Sequence, residues 1–253
     1  MKYLITDLDD TLLTNHKTVS PYTMQILKEL SQKGFLLVFN TARSYPATLP
    51  LIEEIQPDYS IVNGGAQILR QKDTIYSKPI PLELTNYILS EIKQDKSILN
   101  FSVQGIHGLY TPDMSYVEAN PLANYFSFRE DFMEPVYKIL LAAENKTKWI
   151  ALAKEFGLQY ESYLDGLWFR LSASTKELGN LELFKILKDT NPIDYVFGDD
   201  TGDLAMIRRA YHGVLLCNAR TELKRQVQFI TRWDNQNDGV AKYMEEILKT
   251  EKI

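Results

Sequence analysis

The apolar positions of this chain fall into two rhythms, and the changes between them divide it into parts. Near the start, Tyr3-Leu4-Ile5 is a short apolar run bounded by polar residues, which reads as a buried strand. Ser20-Pro21 opens a helix, with serine as N-cap and proline at the first helical position. Met24, Leu27 and Leu30 give that helix an apolar face, and Gly34 closes it. Residues 35–39 are apolar throughout and predict a strand buried on both faces. A helix over 45–55, a short strand over 59–62 and the turn Asn63-Gly64-Gly65 follow. Strands alternating with helices predict a parallel sheet with crossover helices.

From about Pro79 the rhythm changes. A helix over 82–96 leads to strands over 98–103 and 109–111, and residues 113–132 carry no clear period. A strand over 136–141 and a helix over 146–156, closed by Gly157, come next. Residues 159–164 and 167–171 flank Asp165-Gly166, a strong hairpin signal. The parallel rhythm then returns: a helix over 177–188, a strand over 195–197, a helix from Asp203, and strands over 214–216 and 227–230. Val240, Tyr243, Met244, Ile247 and Leu248 form a last helical stripe. The expected fold class is α/β. Residues 1–79 and 175–253 form a Rossmann-like parallel-sheet core, interrupted by an inserted α+β domain over 80–174.

Composition narrows the function classes. With 253 residues, 45% of them hydrophobic, the chain is long enough for a large core. The net charge of -5 argues against a nucleic-acid partner. Apolar runs are far too short for a membrane span, and Asp7 comes too early for a signal-peptide core. Cys217 is the only cysteine, so a disulfide within the chain is excluded and a reducing, cytoplasmic setting is expected.

The candidate chemistry lies at the ends of predicted strands. Asp7-Leu8-Asp9-Asp10-Thr11-Leu12 follows the first, and side chains two apart on extended backbone share a face, so Asp7 and Asp9 can point together. Carboxylates this close repel unless one takes a proton or a hard divalent cation sits between them. Asp199 ends a later strand, and Asp203 lies one turn further on. Two acidic clusters at two strand ends of one sheet can converge on one cation. Between them in the chain come Thr41, a hydroxyl at a strand end, and Lys176, a cation at a helix start. A metal, a nucleophile, a hydrogen-bond donor and a positive charge are what phosphoryl transfer requires.

In order and content these motifs resemble the haloacid dehalogenase superfamily of phosphatases, and most closely its Cof-type branch. The resemblance covers nearly the whole chain. It implies that Asp7 is the nucleophile and Asp9 the general acid/base, that Thr41 in Asn40-Thr41-Ala42-Arg43 binds the phosphoryl group, and that Lys176 neutralises it. It implies a magnesium ion, Mg2+, held by Asp7, Asp9, Asp199 and Asp203. Ala42, Arg43 and Asn218 are expected to bind phosphate or substrate, and residues 80–174 to form a substrate-selecting cap. Gly202 stands where the family often has asparagine, and Glu177 where glycine usually follows the lysine. The expected partner is a small phosphorylated metabolite, with no nucleic acid and no membrane, the protein being a monomer or small homo-oligomer. A phosphotransferase or mutase on the same scaffold, or a non-enzymatic phosphometabolite-binding regulator, are the competing classes. Phosphate release without an added acceptor separates them.

Overall fold

The computed structural model describes residues 1–163 and 166–250. In chain order it begins with β1 (Lys2–Thr6), α1 (Pro21–Gln32), β2 (Phe35–Asn40), α2 (Tyr45–Ile55), β3 (Tyr59–Val62), β4 (Gln67–Arg70) and β5 (Asp73–Ser77). The middle holds α3 (Leu82–Gln94), β6 (Ile98–Gly105), β7 (Leu109–Thr111), α4 (Met114–Ala119), β8 (Ala123–Tyr125), β9 (Val136–Ala143), α5 (Thr147–Glu155), β10 (Gln159–Ser162) and β11 (Trp168–Ser172). The chain continues with α6 (Lys176–Ile186), β12 (Ile193–Gly198), α7 (Leu204–Arg209), β13 (His212–Leu215), α8 (Thr221–Lys224), β14 (Phe229–Ile230) and α9 (Gly239–Thr250). No described helix is long and apolar enough to cross a membrane.

The chain divides into two compact units, one of residues 1–42, 50–75 and 176–253, the other of residues 43–49 and 76–175. The first is built on a sheet of order β14-β13-β12-β1-β2-β3-β4-β5, parallel from β14 to β3. Its central strands are apolar on both faces because helices cover both. Leu4, Ile5, Val38, Phe39, Ile61, Val196 and Val214 are essentially inaccessible to solvent. After β1 the chain steps to β2 and β3 on one side, then returns to place β12 on the other. The strand order therefore reverses between β1 and β12, the place where open α/β sheets bind ligands beyond the carboxyl ends of their strands. Register pairs Thr6 with Phe197, so Asp7 and Gly198 emerge side by side.

The second unit carries a sheet of order β10-β11-β9-β6-β7-β8, mostly antiparallel. Alternation along the strands separates its faces. One buries Val103, Ile139, Leu141, Phe169 and Leu171 against Ile88 and Ile92 of α3 and Trp149 and Leu152 of α5. The other carries Ser102, Gln104, Lys138, Leu140 and Arg170, aligned across the strands by register. Ser102, Gln104, Thr111, Lys138 and Trp168 line a cavity of about 580 Å³ there. The expected hairpin is present as β10 paired with β11, although Leu164 and Asp165 of its connection lie outside the described residues.

Some elements escaped the apolar pattern. β5 is almost entirely exposed and α4 has no buried residue, so neither leaves a periodic apolar trace. β4 and the three-residue β8 were likewise unmarked, the first being a short antiparallel return beside β3.

Candidate active site

Asp7 leaves β1 with its N–H donating to the Phe197 carbonyl of β12 (3.0 Å), which extends the parallel ladder by one residue. Its carboxylate is buried and accepts from Lys176 Nζ at 2.9 Å. The same ammonium donates to Asp203 Oδ1 at 2.6 Å. The other oxygen of Asp203 accepts the backbone N–H groups of Asp199 (3.0 Å) and Asp200 (3.1 Å), folding the 199–203 loop around itself. Gly198 is required there, because a Cβ would run into the Asp203 carboxyl group. Asp199 in turn accepts from Thr11 Oγ1 at 2.7 Å. Carboxylate oxygens of Asp7, Asp199 and Asp203 lie within 4.8 Å of one another.

Lys176 is placed from three sides. It starts α6, and its carbonyl accepts from Asn40 Nδ2 (2.8 Å), which also donates to Asn180 one turn along (2.7 Å). Gly179 lets α6 lie against Ile61 and Gly65, where a Cβ would collide with both. The turn 63–65 accommodates this because Gly64 and Gly65 both adopt positive φ. Thr41 is buried at the end of β2, its N–H donating to Ile61 (2.9 Å) and its carbonyl accepting from Gly64 (2.9 Å).

A sequence profile described as haloacid dehalogenase-like hydrolase matches residues 4–244. The chain belongs to the haloacid dehalogenase-like hydrolases. A Mycoplasma pneumoniae protein with a provisional phosphatase name is 26% identical over 98% of each chain. The 5-amino-6-(5-phospho-D-ribitylamino)uracil phosphatase of Bacillus subtilis is 24% identical over 96% of this chain and 97% of its own. Among solved structures, a haloacid dehalogenase-like hydrolase from B. subtilis superposes with a TM-score of 0.80 at 24% identity, covering 98% of this chain and 100% of that one.

Within this family member the electrostatics follow from burial. Burial pushes the Asp7 carboxyl up to about 6, with Lys176 pulling the other way and Asp203 adding to the rise. Burial likewise takes Asp199 up to about 7, against the Thr11 hydrogen bond and with the Asp203 and Asp7 charges. Burial alone would lower the Lys176 ammonium, but Asp203 and Asp7 more than offset it and hold it above the ordinary lysine range. Three converging carboxylates with one ammonium fit a hard divalent cation, which would remove the tendency of Asp7 and Asp199 to take up protons.

The structure brings together Asp7, Lys176, Asp199 and Asp203 of the expected set. It does not bring the Asp9 carboxylate into the acidic cluster: that group pairs with Lys17 Nζ at 2.9 Å, both being partly exposed. Asn218 is exposed, with its amide donating to the Asp10 carbonyl (2.7 Å) and its oxygen accepting from the Asn235 N–H (3.2 Å). Ala42 and Arg43 are half-buried on the loop after β2, Arg43 grouping with the second unit. Thr11, Asn40 and Asn180 were not singled out from sequence. Thr11 and Asn180 each stand four residues after a candidate site residue, and Asn40 directly precedes another, which is the trace they left.

Proposed function

We propose that this protein is a magnesium-dependent phosphatase that hydrolyses a small phosphorylated metabolite through a phospho-aspartate on Asp7. The observation that carries this reading is the convergence of buried Asp7, Lys176 and Asp203 with half-buried Asp199 at the reversal point of the sheet. Asp7, Asp199 and Asp203 would hold the magnesium ion, which when bound supplies positive charge to phosphate oxygens and to the acidic cluster.

Asp7 attacks phosphorus with a carboxylate oxygen, forming the acyl-phosphate bond while the bond from phosphorus to the leaving oxygen breaks. Asp9 gives its proton to that oxygen. Water then attacks the same phosphorus, Asp9 takes the proton, and inorganic phosphate leaves as the Asp7 carboxylate is restored. Lys176, fixed between Asp7 and Asp203, keeps the nucleophile ionised beside an anionic substrate. Thr41, the Ala42 backbone and Arg43 are assigned to the phosphoryl group. Asn218, assigned to substrate from its motif, is better read as a brace, since both ends of its amide are engaged within the protein.

Residues 80–174 are assigned as the cap that selects the leaving group, a reading supported by the cavity on the polar face of their sheet. The test is a turnover screen across phosphorylated metabolites with magnesium and no added acceptor. Release of inorganic phosphate is expected. Turnover only when an acceptor alcohol is added would replace hydrolysis with phosphoryl transfer, and no turnover on any ester would overturn the enzymatic reading.

A further inference from the structure

The turn that carries Asp9 is not a regular element. Asp9 is extended, and Asp10 adopts a left-handed φ of 55°, which an aspartate enters only at a cost. Something outside the turn must hold it. Leu13 N–H closes it by donating to Leu8 (2.9 Å), Lys17 pairs with the Asp9 and Asp10 carboxylates, and Thr11 donates to Asp199; further ties come from residues more than two hundred positions later.

Asn235 is the hub of those ties. It is buried, on a short turn between β14 and α9. Its amide nitrogen donates to the Leu13 carbonyl (2.9 Å) and to Asn15 Oδ1 (3.1 Å). Its backbone N–H donates to Asn218 Oδ1, and Asn218 passes its own amide to the Asp10 carbonyl. One residue therefore grips the turn at its exit directly and at Asp10 through a relay. It also holds the base of the 14–18 loop, from which Lys17 reaches the Asp9 carboxylate. The Asn235 turn is anchored in turn: Asp234 accepts from Asn237 N–H (2.9 Å), and Asp238 accepts the Ser20 and Thr23 hydroxyls at the start of α1.

We infer that Asn235 is a positioning residue for the acid/base, holding the Asp9 turn through Leu13, Asn15 and the Asn218 relay. The inference rests on the phosphatase reading above, with Asp9 as proton donor. A misplaced proton donor has a signature that lost stability does not share. An alkyl phosphate needs its leaving oxygen protonated, whereas an activated aryl ester such as p-nitrophenyl phosphate releases its phenol as a stable phenolate anion while the phosphoryl group passes to Asp7.

The experiment compares kcat/KM on p-nitrophenyl phosphate and glycerol phosphate for the full chain with magnesium. Wild type, Asp9→Asn, Asn235→Ala and Asn218→Ala are measured, with thermal melting and inhibition by inorganic phosphate alongside. Asn235→Ala should lose about tenfold or more on the alkyl ester and less than about threefold on the aryl ester, with phosphate inhibition unchanged. Asp9→Asn should show the same selectivity more strongly, and Asn218→Ala more weakly. Equal losses on both esters, or none, overturn the inference while leaving the phosphatase reading intact. Absence of selectivity in Asp9→Asn overturns it together with the acid/base role. No turnover by wild type removes the inference with the whole reading. Should Asn235→Ala fail to fold, the exposed Asn218→Ala decides by the same ratio.

Discussion

Among the described residues each unit buries one lysine deeply, and the two fare in opposite ways. Lys176 in the first unit is 5% exposed and Lys138 in the second 8%, so both amines have lost most of their water. Lys176 is pinned between Asp7 and Asp203, and its ammonium is held above the ordinary range. Lys138 is pushed down to about 7 by burial, with the Arg170 guanidinium adding to the fall and Glu161 opposing it. Glu161 is itself paired with Arg170 at 2.5 Å. Burial sets only the cost of charge; the sign of the neighbours decides whether the charge survives it. The first unit thereby keeps a permanent cation next to a candidate nucleophile. The second keeps an amine whose charge changes near neutral pH on the wall of a cavity.

The largest effect should come from removing one carboxylate from Lys176. Asp7→Asn is expected to lower turnover by about a thousandfold or more, since the amide has no nucleophilic oxygen. The fold should persist, because Asp203 still pairs with the lysine. Phosphate release and melting of the variant check both halves, and appreciable steady-state hydrolysis would contradict the covalent step.

Next in size is Lys176→Met, which strands two buried carboxylates. A loss of about 3–5 kcal/mol is expected without metal, as for other buried pairs broken on one side. Added magnesium should recover part of it by taking over the neutralising role. Chemical denaturation with and without magnesium measures this, and a variant as stable as wild type in chelator would show that the pairing in the first unit is not what separates the two lysines.

Lys138→Met should have the smallest effect and the opposite sign, neutral to stabilising by up to about 2 kcal/mol at pH 7. The pH dependence is the sharper reading. The folded-state value of about 7 lies below the unfolded 10.5, so between them the unfolded chain binds the extra proton. Wild-type stability should therefore gain on that of the variant as pH rises from about 7 towards 10.5. Melting curves of both proteins across that range test it, and parallel curves would mean that Lys138 keeps its proton in the folded state.

The alternation of strands and helices in the parallel core, the acidic residues at its strand ends and the lysine that joins them could be read from the sequence, whereas β4, β5, α4 and β8 escaped the apolar pattern. Full burial of a central parallel strand forces an apolar run, and strand-end chemistry follows within two residues of it, as Asp7 follows Ile5 after Thr6 and Asp199 follows Phe197 after Gly198. Near neighbours in sequence also limit where a side chain can point, so Asp199 and Asp203 could be assigned to one place. Three things waited for the tertiary structure. Asp9 lies on Lys17 rather than in the acidic cluster, because the chain turns at Leu8 and leaves the extended path on which residues two apart share a face. Asn235 and Asn218 grip that turn from over two hundred residues away, a distance across which no periodicity carries information. The contrast between Lys176 and Lys138 depends on which charges face each amine, and β-strand register and helix packing, not local sequence, choose those neighbours.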